Sequence, residues 1–294
     1  MSVRLAVLGA GRIGQVHAAA IDRVKGAVLA AVADPFRDAA QAVAEAYGCD
    51  VRDVDAIAAD NTIDAVVICT PTDTHADLIE RFARAGKAVF CEKPIDLSVP
   101  RVRCCLEVVA VEGASLMLGF QRRFAPDFRA LKDQIDAGAI GAVEMVTLTS
   151  RDPGPPPLDY IKQSGGIFRD MTIHDFDMAR WLLGEEVATV QAAASVLVDP
   201  AIGAAGDFDS ANVILQTASG RQATITNSRR ATYGYDQRIE VHGSTGAVSA
   251  ANHHTSRVTV AGAQGYTQPP VLDFFLTRYA EAYAADMAAF VSFV

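Results

Sequence analysis

The chain has 294 residues, enough for two domains of ordinary size. Half of the residues are hydrophobic and 21% are charged, which excludes a disordered, collagen-like or coiled-coil chain and leaves material for two cores without disulfide or metal staples. With 26 Lys and Arg against 35 Asp and Glu the net charge is −9, and no basic run reverses it locally, so a small molecule is expected as partner rather than nucleic acid.

The first third alternates short apolar runs with helical stretches. Val3–Leu8 reads as a buried strand, followed by a glycine turn and a helix over 13–23. Ala27–Ala33 is a second strand, and Arg37–Tyr47 an Ala-rich helix ended by Gly48. A strand over 65–69, a helix over 75–85 and a strand Ala88–Cys91 complete the pattern. Strands that are apolar on both faces and separated by helices predict a parallel sheet covered on both sides. After about residue 120 the character changes. A helix is expected over 125–137 and a long strand over 142–150, while the Pro-rich 153–157 is a loop. A helix over 170–183 precedes about four long strands, with turns at Ser219-Gly220 and Gly243-Ser244-Thr245-Gly246, and such a series predicts an antiparallel sheet. Residues 273–294 read as one helix with no stop signal, as expected of a truncated C-terminus.

The five cysteines (Cys49, Cys69, Cys91, Cys104 and Cys105) form no C-x-x-C and are odd in number, which fits reduced thiols in the cytoplasm. The first strand begins too early to leave room for a signal peptide, and no apolar run reaches the ~20 residues of a membrane span.

Gly9-Ala10-Gly11-Arg12-Ile13-Gly14 is a G-x-G-x-x-G that follows an apolar strand and opens a helix, the context a dinucleotide site requires. Gly9 permits the tight turn, Gly11 lets backbone approach a pyrophosphate, and Gly14 allows close helix–strand contact. Asp34 ends the second strand, where a carboxylate accepts from the adenosine ribose and repels a 2′-phosphate, which favours NAD over NADP. Arg37 is a solvated charge in the next helix, or a 2′-phosphate ligand in a dual-specificity enzyme.

Glu92-Lys93-Pro94 follows a strand, at the edge where open α/β sheets bind ligands; Lys93 there is either a surface charge or functional. If residues 170–183 are helical, Asp170 and His174 share one face, and a carboxylate beside an imidazole fixes its tautomer and raises its basicity. The plainer alternative is a capping Asp and a satisfied histidine, with Asp175 and Asp177 as solvated acids or helix-dipole partners. Two ligands without a third make a zinc site improbable, and no metal is expected.

Together, Gly9 to Gly14, Thr70-Pro71 with His75, Glu92-Lys93-Pro94 and Asp170 with His174 resemble the Gfo/Idh/MocA family of NAD(P)-dependent sugar dehydrogenases, from residue 3 to the end of the chain. The stretches 165–181 and 227–238 are similar to members that act on inositol. The resemblance implies a Rossmann domain over 1–120 and, over 121–294, an α+β substrate and oligomerisation domain with a large open, mainly antiparallel sheet. It implies Lys93, Asp170 and His174 as catalytic residues and Gly9, Gly11, Arg12, Ile13, Gly14, Asp34, Thr70, Pro71, His75, Glu92 and Lys93 around NAD. Arg122 and Tyr233 match polyol-binding positions. The implied activity is NAD-dependent oxidation of a ring hydroxyl of a cyclic polyol, myo-inositol first, in a homotetramer joined through open sheet faces. Another inositol isomer or an aldose is the nearest alternative substrate, and a non-catalytic sugar-binding regulator the alternative class. Family members continue tens of residues further, with a helix that returns toward the cofactor domain.

Overall fold

The computed structural model describes residues 2–294, and contacts divide them into two units, up to Phe124 together with Ala280–Val294, and Ala125–Tyr279. In the first unit β1 (Val3–Leu8), β2 (Ala27–Ala33), β3 (Asp50–Val51), β4 (Ala65–Ile68), β5 (Ala88–Cys91) and β6 (Leu116–Leu118) make a six-stranded sheet in the order β3-β2-β1-β4-β5-β6. Every pairing is parallel. The connecting helices are α1 (Arg12–Arg23), α2 (Arg37–Tyr47), α3 (Val54–Ala59), α4 (His75–Arg84) and α5 (Val99–Glu112). Leu5, Ala6, Val7, Val66, Val67 and Ile68 are sealed from water, as unbroken apolar strands between two helical layers must be. α4 buries His75, Ala76, Ile79, Phe82 and Ala83, the spacing of one helical face.

Register aligns the strand ends. Leu8 pairs with both Ala33 and Ile68, Ile68 with Cys91, and Cys91 with Leu118. The ladder runs one step further through Gly9 N–H to Ala33 O (2.8 Å), Cys69 N–H to Leu8 O (2.8 Å) and Glu92 N–H to Ile68 O (3.0 Å). Gly9, Asp34, Thr70 and Lys93 therefore leave one edge of the sheet together, on either side of the point where strand order reverses.

The second unit contains α6 (Pro126–Asp136), β7 (Val143–Arg151), α7 (Leu158–Ser164), α8 (Ile173–Leu183), β8 (Val187–Ser195), α9 (Pro200–Ala204), β9 (Ser210–Thr217), β10 (Gln222–Ser228), β11 (Asp236–Gly243), β12 (Gly246–Ala250) and α10 (Phe275–Arg278). The strand order is β12-β11-β7-β10-β9-β8. A small hairpin, Val260–Gly262 with Gly265–Thr267, stands apart from that sheet. Val146, Leu148, Val213, Leu215, Ile225, Ile239 and Val241 are buried, whereas Met145 and Ile214 are exposed. That alternation is expected of a sheet covered on one face only.

The sheet is mixed rather than purely antiparallel, because β7 and β10 run parallel. The chain crosses over through α7 and α8 after β7 and returns by the antiparallel series β8, β9 and β10, which sets β10 in the direction of β7. The single helix expected over 273–294 is two: α10, then Tyr279 out of helical geometry (φ −114°), then Ala280–Phe293. The interruption falls where the chain leaves the second unit for the first. The final helix buries Ala282, Tyr283, Asp286, Met287 and Phe290 and packs on α1. No helix of the described residues is long and apolar enough to cross a membrane.

Candidate active site

At the first unit's strand edge, Gly9 takes φ +97°, and a Cβ there would lie 2.7 Å from the Cys69 carbonyl oxygen. A Cβ on Gly14 would stand 1.9 Å from the Gly9 carbonyl oxygen, so only glycine lets α1 start this close to its own turn. A Cβ on Gly11 meets nothing within 4 Å, and Gly11 gives the helix no side-chain cap. Gly11 thus leaves open space beside the first turn of α1, as close approach of a pyrophosphate requires. Asp34 accepts from Ala10 N–H (2.6 Å) and Phe36 N–H (2.7 Å), which pins its carboxylate beside the glycine turn. Arg37 is exposed in the first turn of α2. These residues fit a dinucleotide: turn, helix terminus and carboxylate occupy adjacent strand ends.

Two of the expected cofactor contacts have side chains committed to the framework. His75 sets both ring nitrogens against backbone carbonyls, Nδ1 2.7 Å from Pro94 O and Nε2 2.8 Å from Thr70 O, and so ties the end of β4 to the turn that carries Lys93. Glu92 is buried with Oε1 2.7 Å from His17 Nε2. His17, from α1, meets Phe90 and Tyr283 edge-on. Asp286, on the final helix, is also sealed from water, and burial, reinforced by the charge of Glu92, pushes its pKa up to about 8. Arg122 is buried in a short turn over Gln121–Phe124. Burial also pushes the Cys69 and Cys91 thiols well above their ordinary range, which makes them inert.

In the second unit the expected helix over 170–183 begins as one wide π turn, Phe168–Thr172, before α8. Thr172 explains the widening: its hydroxyl lies 2.6 Å from Asn227 Oδ1 and 3.2 Å from the Ile167 carbonyl, inserted into the helical ladder. Asp170 sits in the wide turn and His174 in the first turn of α8. Asp170 Oδ1 accepts from the Tyr160 hydroxyl (2.8 Å), and Oδ2 lies 3.4 Å from Arg229 Nη2.

Asp175 and Asp177 are buried, not solvated. Asp175 accepts from Ser150 Oγ (2.6 Å) and Asn227 Nδ2 (2.8 Å), which fastens the start of α8 to β7 and β10. Those partners are remote in sequence, so the position looks solvent-facing until the sheet forms. Tyr233, 48% exposed, donates to Asp236 Oδ2 (2.6 Å) and accepts from Arg151 Nη1 (2.9 Å). Burial works to raise the Asp236 pKa, but hydrogen bonds from Arg238, Tyr233 and Asn252 outweigh it and hold the carboxyl below its usual range.

Residues 3–120 match the oxidoreductase family with an NAD-binding Rossmann fold, and residues 128–249 match the GFO/IDH/MocA C-terminal domain. The chain belongs to the Gfo/Idh/MocA family. It is an oxidoreductase with an NAD-binding Rossmann domain. It is 67% identical to the inositol 2-dehydrogenase of Rhizobium meliloti strain 1021 over 292 residues, covering 99% of this chain and 88% of that one. It superimposes on a crystal structure of a myo-inositol dehydrogenase from Corynebacterium glutamicum with a TM-score of 0.95 and 42% identity, covering 99% of this chain and 88% of the other. A scyllo-inositol dehydrogenase from Lactobacillus casei, solved with NAD(H) and scyllo-inositol, gives a TM-score of 0.91 at 30% identity, with coverage of 99% and 87%.

Sequence reasoning did not single out His17, Tyr160, Asp286 or the role of Arg229. Asp286 leaves a trace, being an acid at the spacing 282, 283, 286, 287, 290 that forms the buried face of its helix. His17 shares the buried face of α1 with Gly14, Ala18 and Ile21.

Proposed function

We propose that the protein oxidises one ring hydroxyl of a cyclic polyol, myo-inositol first, to the ketone. The overall change is an alcohol carbon and NAD⁺ giving a carbonyl, NADH and one proton. Bound NAD⁺ supplies the hydride acceptor. His174 takes the hydroxyl proton, and Asp170 orients the imidazole and steadies its cationic form. Lys93 hydrogen-bonds the reacting oxygen and offsets the alkoxide charge that develops there. Arg122 and Tyr233 contact the remaining hydroxyls. The observation that carries the substrate class is the 67% identity to an inositol 2-dehydrogenase over nearly the whole chain.

The working form is a cytoplasmic homotetramer. The exposed apolar residues Met145 and Ile214, on the uncovered side of the second sheet, support the assembly, and five unpaired thiols support the compartment. The experiment is the growth of NADH absorbance with myo-inositol, scyllo-inositol and glucose in parallel, with light scattering for the assembly. Fastest turnover of myo-inositol is expected. A preference for scyllo-inositol or glucose reassigns the substrate, and no turnover of any cyclic polyol or aldose sinks the reading.

A further inference from the structure

The residue with the largest side chain among those almost fully sealed from water is a charged one, Arg229, 1% exposed. Burying a guanidinium costs several kcal/mol, so its place is not accounted for by stability alone. It follows directly on β10, and its N–H donates to Asp209 O (2.8 Å), which fixes where the side chain starts. Its Nη2 reaches two carboxylates, Asp170 Oδ2 at 3.4 Å and Asp207 Oδ2 at 3.9 Å. Asp207 in turn accepts from Ile167 N–H (2.9 Å), at the entry of the wide turn. On the other side the Tyr160 hydroxyl, from α7, holds Asp170 Oδ1 at 2.8 Å. Each oxygen of Asp170 is therefore claimed by a different element.

We propose that Arg229 and Tyr160 are positioning residues that fix the Asp170 carboxylate and, through it, set the basicity of His174. The inference rests on the reading of His174 as the base. Around Asp170 one cation lies between two carboxylates, and the next acid along, Asp175, is neutralised in part by donors from Ser150 and Asn227. The guanidinium and the phenol bond the Asp170 carboxylate and draw off part of its negative field. Without either donor, more of that field falls on the imidazole, whose pKa rises. A base that stays protonated to higher pH loses activity on the acidic side.

Tyr160→Phe deletes one hydroxyl from a ring that is already half exposed, so the fold stays intact. Arg229→Gln removes the cation, and Arg229→Lys restores charge without the planar fork. The expected result for Tyr160→Phe and Arg229→Gln is a kcat for myo-inositol lower by roughly tenfold. The acidic limb of kcat/KM should also move up by about one pH unit. NADH affinity, read by fluorescence titration, stays within about twofold, and Arg229→Lys recovers part of the pH shift. A purely structural role would lower the melting temperature and leave the acidic limb in place. An unmoved limb in Tyr160→Phe overturns the inference even where Arg229→Gln fails to fold. His174→Ala serves as the control. If it is dead while the limb is unmoved in the other variants, only this inference fails; if it keeps near-normal turnover, the reading of the base fails and takes the inference with it.

Discussion

Asp286 offers the sharpest quantitative test. Its side chain is sealed from water, and neither carboxyl oxygen hydrogen-bonds any group among the described residues. The charge that acts on it is that of Glu92 at the end of β5, whose carboxylate lies against His17 from α1. Burial, then repulsion from Glu92, raises its pKa from the ordinary 3.8 to about 8. Between those values the folded chain holds a proton that the unfolded chain has lost, so stability falls as pH rises through this window and levels off above it. At roughly 1.4 kcal/mol per pH unit the interval corresponds to about 6 kcal/mol, a ceiling that water entering beside the helix reduces. Asp286→Asn keeps the shape of the neutral carboxyl and abolishes the titration. Urea denaturation of both proteins at pH 5, 7 and 9 reads the effect. The variant should exceed the parent by at most about 2 kcal/mol at pH 5 and about 6 kcal/mol at pH 9, so the gap should widen between pH 5 and pH 9, the His17–Glu92 pair being common to both proteins. Parallel stability curves for the two proteins would refute the argument.

Asp34→Ala removes the carboxylate that holds the glycine turn and repels a 2′-phosphate, so NADH affinity should fall about 10–100-fold, the worth of charged hydrogen bonds, and the gap to NADPH should narrow. Equal use of both cofactors by the parent enzyme would show the assignment to be wrong. Gly14→Ala should abolish NADH binding, read by fluorescence titration, because its Cβ would meet the Gly9 carbonyl at 1.9 Å; an unchanged Kd contradicts the close-approach argument. Lys93→Met should lower kcat by about a hundredfold, the usual worth of one oxyanion donor, and near-normal turnover would return Lys93 to the framework.

The cofactor half was readable because its strands are apolar on both faces and its glycines stand at a strand–helix junction; neither signal needs knowledge of a distant partner. Asp175 keeps the place in the first turn of α8 expected of a helix-dipole partner, but its burial is illegible in the sequence for the opposite reason. Its partners Ser150 and Asn227 are 25 and 52 positions away on two strands, and nothing local tells a buried Asp in a helix's first turn from a solvated one. The wide turn at Phe168–Thr172 depends on Asn227 in the same way. The parallel pairing of β7 with β10 was hidden because short turns reveal only neighbours in sequence. His75 and Glu92 stand at the carboxyl edge of the parallel sheet, but their side chains face Thr70, Pro94 and His17, a choice made by packing.

The return of Ala280–Phe293 to the first unit gives the chain a particular order of assembly on the ribosome. Phe290 covers Phe90 (ring centroids 5.5 Å apart) and Tyr283 covers His17, yet these partners are synthesised about 200 residues or more apart. When residue 124 has emerged, the parallel sheet is complete but this side of it is still bare. About 155 residues must follow before the covering helix appears, roughly 8–30 s at ordinary elongation rates. For that interval a nascent chain presents Phe90 and a half-covered His17–Glu92 pair to solvent, a surface suited to a chaperone. The first unit is thus the earliest to form a sheet and the last to close its core.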